Sequence, residues 1–177
     1  SVSAFLLNRS SDLRLMFANC TSLTSIDIST FDSSQVNTME QMFLDCTELA
    51  TLKISSTFVG TKVTNMKEMF KNCNKLQSLD LSNFNTPVLK YCSNAFSNCN
   101  SLTSLNIKLM KTNQVQEMIS IFENCSSLTE LDLSQFETNQ AKSMESLFSG
   151  CSSLTILSLI KFSTRLVKSM NSMFKNC

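Results

Sequence analysis

The sequence predicts an α/β solenoid of about seven stacked repeats, each contributing one short parallel strand and one helix. Three observations predict it. Cysteine recurs at 20, 46, 73, 99, 125, 151 and 177, at an interval of 26 residues in every case but one. Leucine or isoleucine recurs at fixed offsets after each cysteine. The apolar period then changes within each unit from two residues to between three and four, the signature of a strand followed by a helix. The exceptional interval is 27, between Cys46 and Cys73, and its extra residue falls among Ser55, Ser56 and Thr57, where a loop absorbs it.

The strand comes first in each unit. The third residue after the cysteine is always leucine, from Leu23 to Leu154, and the sixth and eighth are Ile26 and Ile28, Leu52 and Ile54, and their equivalents up to Leu157 and Leu159. This is the LxxLxL spacing of a leucine-rich repeat. In Ser25-Ile26-Asp27-Ile28-Ser29 polar and apolar residues alternate, the period of a half-buried strand.

A helix is expected next. Val36, Met39, Met42 and Phe43 recur at i, i+3, i+6 and i+7, one stripe of an α-helix of roughly eleven residues. Ser33, Thr86, Thr112, Thr138 and Thr164 stand at the expected N-cap, with Gly60 in the same column, and the one proline, Pro87, follows Thr86 at the first helical position. The residue before each cysteine is Asn, Asp or Gly, the types that tolerate the left-handed turn closing a helix.

The unusual inventory follows from the columns. All 13 Phe lie in two of them, one running from Phe17 to Phe174 without interruption, and the 10 Met also fall in apolar columns, chiefly two others, in one of which Cys92 replaces Met. Hydrophobic residues at 42% and charged residues at 16% exclude a disordered chain. Fifteen Lys and Arg against 14 Asp and Glu leave a net charge of +1, too little for a nucleic-acid partner. No apolar run approaches the ~18 residues of a membrane span, and the first residues lack the order of a signal peptide, so no direct membrane insertion is expected.

Residues 73–99, CNKLQSLDLSNFNTPVLKYCSNAFSNC, and residues 125–151, CSSLTELDLSQFETNQAKSMESLFSGC, resemble the BspA-like leucine-rich repeats, whose signature is CxxLxxLDLSxFxTxxVxxMxxMFxxC. The resemblance spans the chain, with Met110, Cys92 and Ala95 departing conservatively. It implies a surface protein of a bacterium or protist, active in adhesion to host or matrix proteins.

Among candidate sites, eight cysteines suggest disulfides, zinc or a nucleophile. Stacked repeats hold equivalent side chains parallel rather than converging, no C-x2-4-C pair exists for zinc, and the chain has no His to act as a base. Buried, reduced, space-filling thiols are the expectation, with no cofactor and no metal. Between the inward strand residues lie outward polar columns, the fullest being Asp27, Lys53, Asp80, Asn106, Asp132 and Ser158. They read either as a solvated face with charge pairing between rungs or as a ligand-binding concave surface. Ile156 and Ile160 are expected to point outward near the C-terminal end, joined by Leu109 and Leu166 from nearby loops, as a contact site or the seat of a capping segment.

The functional expectation is a non-enzymatic protein-binding module, 1–177, a single uncapped fragment of a longer array, acting in adhesion or recognition at the cell surface. The alternative is an assembly subunit, intracellular in one version, that joins other chains head to tail through open solenoid ends. Asn8, Asn19 and Asn124 stand in N-x-S/T acceptor sequences for glycosylation.

Overall fold

The computed structural model describes residues 10–177. Asn8 and the first residue of the shorter Phe column, Phe5, lie outside that range.

The strands form where the alternation placed them. They are β1 (Ser25–Asp27), β2 (Thr51–Lys53), β3 (Ser78–Asp80), β4 (Ser104–Asn106), β5 (Glu130–Leu131) and β6 (Ile156–Leu157). Each points its middle or last leucine or isoleucine inward and its flanking residues outward. They pair as three separate two-stranded parallel sheets, β1 with β2, β3 with β4 and β5 with β6, with Ile26 opposite Leu52, Leu79 opposite Leu105 and Leu131 opposite Leu157. Pairing lapses between β2 and β3 and again between β4 and β5. The inserted residue lies just after β2, where Thr57 Oγ1 donates back to Phe31 O of the preceding repeat at 2.8 Å.

The helix of each repeat is not there. No α-helix occurs among the described residues, so the α/β class is corrected to a stack of repeats built from short strands and turns. In the segment expected as the first complete helix, backbone N–H groups alternate between two kinds of partner. Met39, Gln41, Phe43 and Asp45 donate to Asn65 O, Lys67 O, Met69 O and Lys71 O of the following repeat at 2.8 to 3.0 Å, while Met42, Leu44 and Cys46 each close a four-residue β-turn at 3.2 Å. Two residues per repeat take left-handed φ to allow this, Gln41 at 57° and Asp45 at 58°, and their equivalents do the same in the other repeats.

Spacing explains the substitution. Packed helices need interaxial distances of about 8 to 10 Å. Here successive Phe rings stack face to face at 5.2 to 5.8 Å from Phe17 through Phe43, Phe70, Phe96, Phe122 and Phe148 to Phe174. A ladder of turns holds that pitch on the side opposite the strands. The two ends of a four-residue turn, such as Met39 and Met42, stand at i and i+3 as on a helix, so the period could not separate them.

The expected N-cap hydroxyls also serve a different end. Ser33, Thr86, Thr112 and Thr138 are buried. Their hydroxyls donate across the interface to Val59 O at 2.7 Å, Lys111 O at 2.9 Å, Glu137 O at 3.0 Å and Ser163 O at 2.8 Å. Gly60 lacks the hydroxyl, and a Cβ there would meet the Thr86 methyl at 2.7 Å. Opposite it, the buried Asn85 Oδ1 has no hydrogen-bond partner.

Candidate functional site

The outward strand residues form the surface singled out from the sequence. Ser25, Thr51, Ser78, Ser104 and Glu130 are exposed in the first polar column, with Glu130 opposite Ile156 in register. In the second column Asp27, Lys53, Asp80, Asp132 and Ser158 are exposed and Asn106 half-buried. Asp27 and Lys53 lie opposite each other and form an exposed ion pair at 3.2 Å. Hydrogen bonds from the Ser29 side chain and backbone, then from Lys53, hold the Asp27 carboxyl down at about 2.

These residues are not merely solvated. Asp27, Asp80 and Asp132 Oδ1 each accept the backbone N–H two residues on, from Ser29 at 3.0 Å, Ser82 at 2.9 Å and Ser134 at 2.9 Å. Asn106 does the same for Lys108 at 3.5 Å. Each is the side-chain acceptor of a turn that ends its strand, a local role that alternation alone does not display.

Ile156 and Ile160 are 66% and 89% exposed, at strand-side positions where other repeats carry Ser, Thr, Glu or Lys. Leu109 and Leu166 are also exposed. Met170 and Phe174 are exposed for another reason: they belong to core columns in the last of the described repeats, and no described residue covers their outer side.

The cysteines form a ladder of thiols. All eight are free; Cys46, Cys73, Cys92, Cys99, Cys125 and Cys151 are buried, and Cys20 and Cys177 exposed. Burial pushes the thiols up, Cys46 to about 11 and Cys92 and Cys151 to about 12. Such thiols are poor nucleophiles at neutral pH. Among the described residues no group of three His, Cys, Asp or Glu side chains is placed to hold a metal ion, and there is no helix long and apolar enough to cross a membrane.

At the left-handed positions before the cysteines, side-chain amides form a second ladder. Asn72 Nδ2 donates to Asp45 Oδ1, Asn98 to Asn72 and Asn124 to Asn98, at 2.6 to 2.8 Å. A glycan on Asn124 would occupy the nitrogen that makes this bond. Asn19 is exposed.

The sequence reading missed a groove. It is about 890 Å³ in volume and crosses four repeats on the turn side, from Lys67 past Tyr91 and Glu117 to Gln140. Its residues fall in a few shared columns, Lys67, Ser93 and Ile119 in one and Tyr91 and Glu117 in another, but their types differ from repeat to repeat. The one sequence signal was Tyr91, the single tyrosine, 59% exposed.

Compared with known proteins, the chain matches a family model described as Mycoplasma protein of unknown function, DUF285, over residues 11–127 and 90–177. No curated protein matches. Among solved structures, a leucine-rich repeat protein from Bacteroides ovatus ATCC 8483 is similar at 16% identity with a TM-score of 0.42. That alignment covers 93% of this chain and 55% of the other, so the chain spans about half the length of that protein.

Proposed function

We propose, from the premise that this chain belongs to the DUF285 family of Mycoplasma proteins of unknown function, that it is a non-enzymatic recognition module binding a protein partner through its strand face. The observation that carries this reading is the register. Outward side chains of neighbouring rungs stand directly opposite one another, Ser25 with Thr51, Asp27 with Lys53, Ser78 with Ser104 and Asp80 with Asn106, on a scaffold whose Phe stack fixes their spacing. A rigid polar surface of this kind loses little freedom on binding. Adhesion at a cell surface, in the manner of the BspA-like repeats that the sequence resembles, is the setting we assign to it.

A random peptide display library selected on the immobilised protein tests the reading. The variant carrying Ser78→Arg, Ser104→Arg and Glu130→Arg changes exposed side chains and leaves the strand-ending turns intact. Selected peptides should bind it at least about tenfold more weakly, a loss of 1.4 kcal/mol, and bind Tyr91→Ala normally. Peptides that ignore the triple change overturn the reading.

A second reading, assembly through the C-terminal repeat, is favoured by the exposed Ile156 and Ile160. It expects concentration-dependent association in sedimentation that Ile156→Asp with Ile160→Asp abolishes. A chain that stays monomeric at high concentration removes it.

A further inference from the structure

The backbone ladder on the turn side is interrupted at one interface. Leu13, Met39, Met66, Met118 and Met144 occupy one column, and each donates its N–H to the following repeat, to Thr38 O, Asn65 O, Tyr91 O, Ser143 O and Ser169 O, at 2.9 to 3.0 Å. Cys92 holds that column in the Cys99 repeat, and no such bond joins it to Glu117. The parallel bridges running from Asp12 through Thr38 and Asn65 to Tyr91 resume only at Glu117, continuing through Ser143 to Ser169. The reciprocal bond is missing too. Thr64, Lys90, Lys142 and Lys168 donate to the repeat before theirs at 2.7 to 2.9 Å, whereas Gln116 does not reach Lys90 O. Ser93 Oγ takes up the Glu117 carbonyl instead, at 3.1 Å.

The groove lies over this opening, with Lys90 and Gln116 in its wall. Its lining is rich in carboxamides, which donate and accept at once and so match adjacent sugar hydroxyls. Two of them are held in place: Gln114 Nε2 donates to Pro87 O at 3.1 Å, and Lys142 Nζ donates to Gln116 Oε1 at 2.7 Å. Tyr91 offers an exposed aromatic face. Lys67 and Lys90 form no ion pair among the described residues, and Glu117 is the one acidic residue of the wall. Ile119 is the only aliphatic residue in the wall, so the groove lacks the apolar pockets that anchor peptide side chains. One open rung gives no strand edge for an extended peptide to pair with.

We propose that this groove binds an oligosaccharide carrying a uronate carboxylate. The Tyr91 ring stacks on a pyranose face, the carboxamides of Asn113, Gln114 and Gln140 take hydroxyls, and Lys67 and Lys90 hold the carboxylate. The groove crosses successive repeats at the pitch set by the Phe stack, close to the length of a sugar unit, so consecutive sugars meet consecutive repeats. This site is on the face opposite the strands and does not depend on the protein-binding reading.

Calorimetric titration of the full chain with a hyaluronan hexasaccharide tests it. Saturable binding is expected, weakened about tenfold by Tyr91→Ala, a loss of 1.4 kcal/mol, and comparably by Asn113→Ala with Gln140→Ala. Carboxyl reduction of the sugar should weaken binding, and the strand-face triple variant should bind it normally. Absence of binding, binding that Tyr91→Ala and the Asn113/Gln140 pair both leave intact, or equal competition by poly-glutamate overturns the proposal, the last in favour of an acidic peptide. Unchanged thermal melting of Tyr91→Ala, whose side chain is exposed, separates lost binding from lost folding.

Discussion

The Cys125 thiol donates to the carbonyl oxygen of Phe96 one repeat back, at 3.2 Å, the same oxygen that accepts the Cys99 N–H at 3.2 Å. The relationship recurs from Cys46 on Phe17 to Cys177 on Phe148. Each thiol thus adds a second hydrogen bond to that carbonyl across the interface, which a small residue without a donor would remove. A thiol reagent at neutral pH should label Cys20 and Cys177 quickly and the six buried cysteines only on unfolding.

The same thiols make stability fall in alkali. A group whose pKa is raised in the folded state stabilises fully below its unfolded value and ceases to as pH rises through the folded one. For Cys92 the window runs from the ordinary 9.0 to about 12. Denaturation midpoints should drop across that range, and Cys92→Ala should shallow the slope. A slope unaffected by Cys92→Ala would contradict its burial as a thiol.

Phe96 sits between Phe70 and Phe122 with ring centroids 5.8 Å away on either side, and it is fully buried. Phe96→Ala should cost about 3 to 5 kcal/mol, a buried aromatic lost from an interior with no means of collapsing. Lys90→Ala, on the exposed side of the same repeat, should change stability by less than about 0.5 kcal/mol. Equal losses in urea denaturation would displace the ring from the stack.

Asp80 and Asp132 test the strand-ending turns. Replacing either by Ala removes an acceptor from the Ser82 or Ser134 N–H and should cost about 0.5 to 1.5 kcal/mol. Asn keeps the oxygen and drops the charge, so Asp80→Asn should melt close to the parent. If Ala and Asn behave alike, these carboxylates are only solvated, as the alternation first suggested.

What could be read from the sequence was whatever repeats in register. The Leu, Phe, Met and Cys columns showed which residues are buried, and the strands formed at Ser25–Asp27 and its equivalents because alternation is specific to a strand. The helix was misread because Met39, Met42 and Phe43 satisfy both a helical stripe and a run of four-residue turns. Only the backbone distinguishes them, through left-handed residues such as Leu15, Gln41 and Ser120. Those types carry no left-handed signature, unlike the Asn column beside the cysteines. Thr138 was misread for a related reason: a hydroxyl that would cap a helix bonds equally well to Ser163 in the next repeat. The groove at Tyr91 was hidden because it is made by the failure of one rung, and a repeat pattern announces where rungs form.

The last prediction concerns Gly150, where the carboxamide ladder stops. Its φ is 76°, and a Cβ built there would collide with Asn124 Oδ1, because the Asn124 side chain, tied to Asn98 at 2.8 Å, leans into the space the glycine leaves. Gly150→Ala therefore carries two penalties, about 1 to 2 kcal/mol for the left-handed backbone and a further cost for displacing Asn124. Asn124→Ala removes the obstacle but not the backbone strain. The two substitutions should be coupled, the double variant losing less than the sum of the singles by about 0.5 kcal/mol or more. Strict additivity of the melting free energies would mean that Asn124 does not occupy the space beside Gly150, and that the ladder closes one repeat earlier, at Asn98.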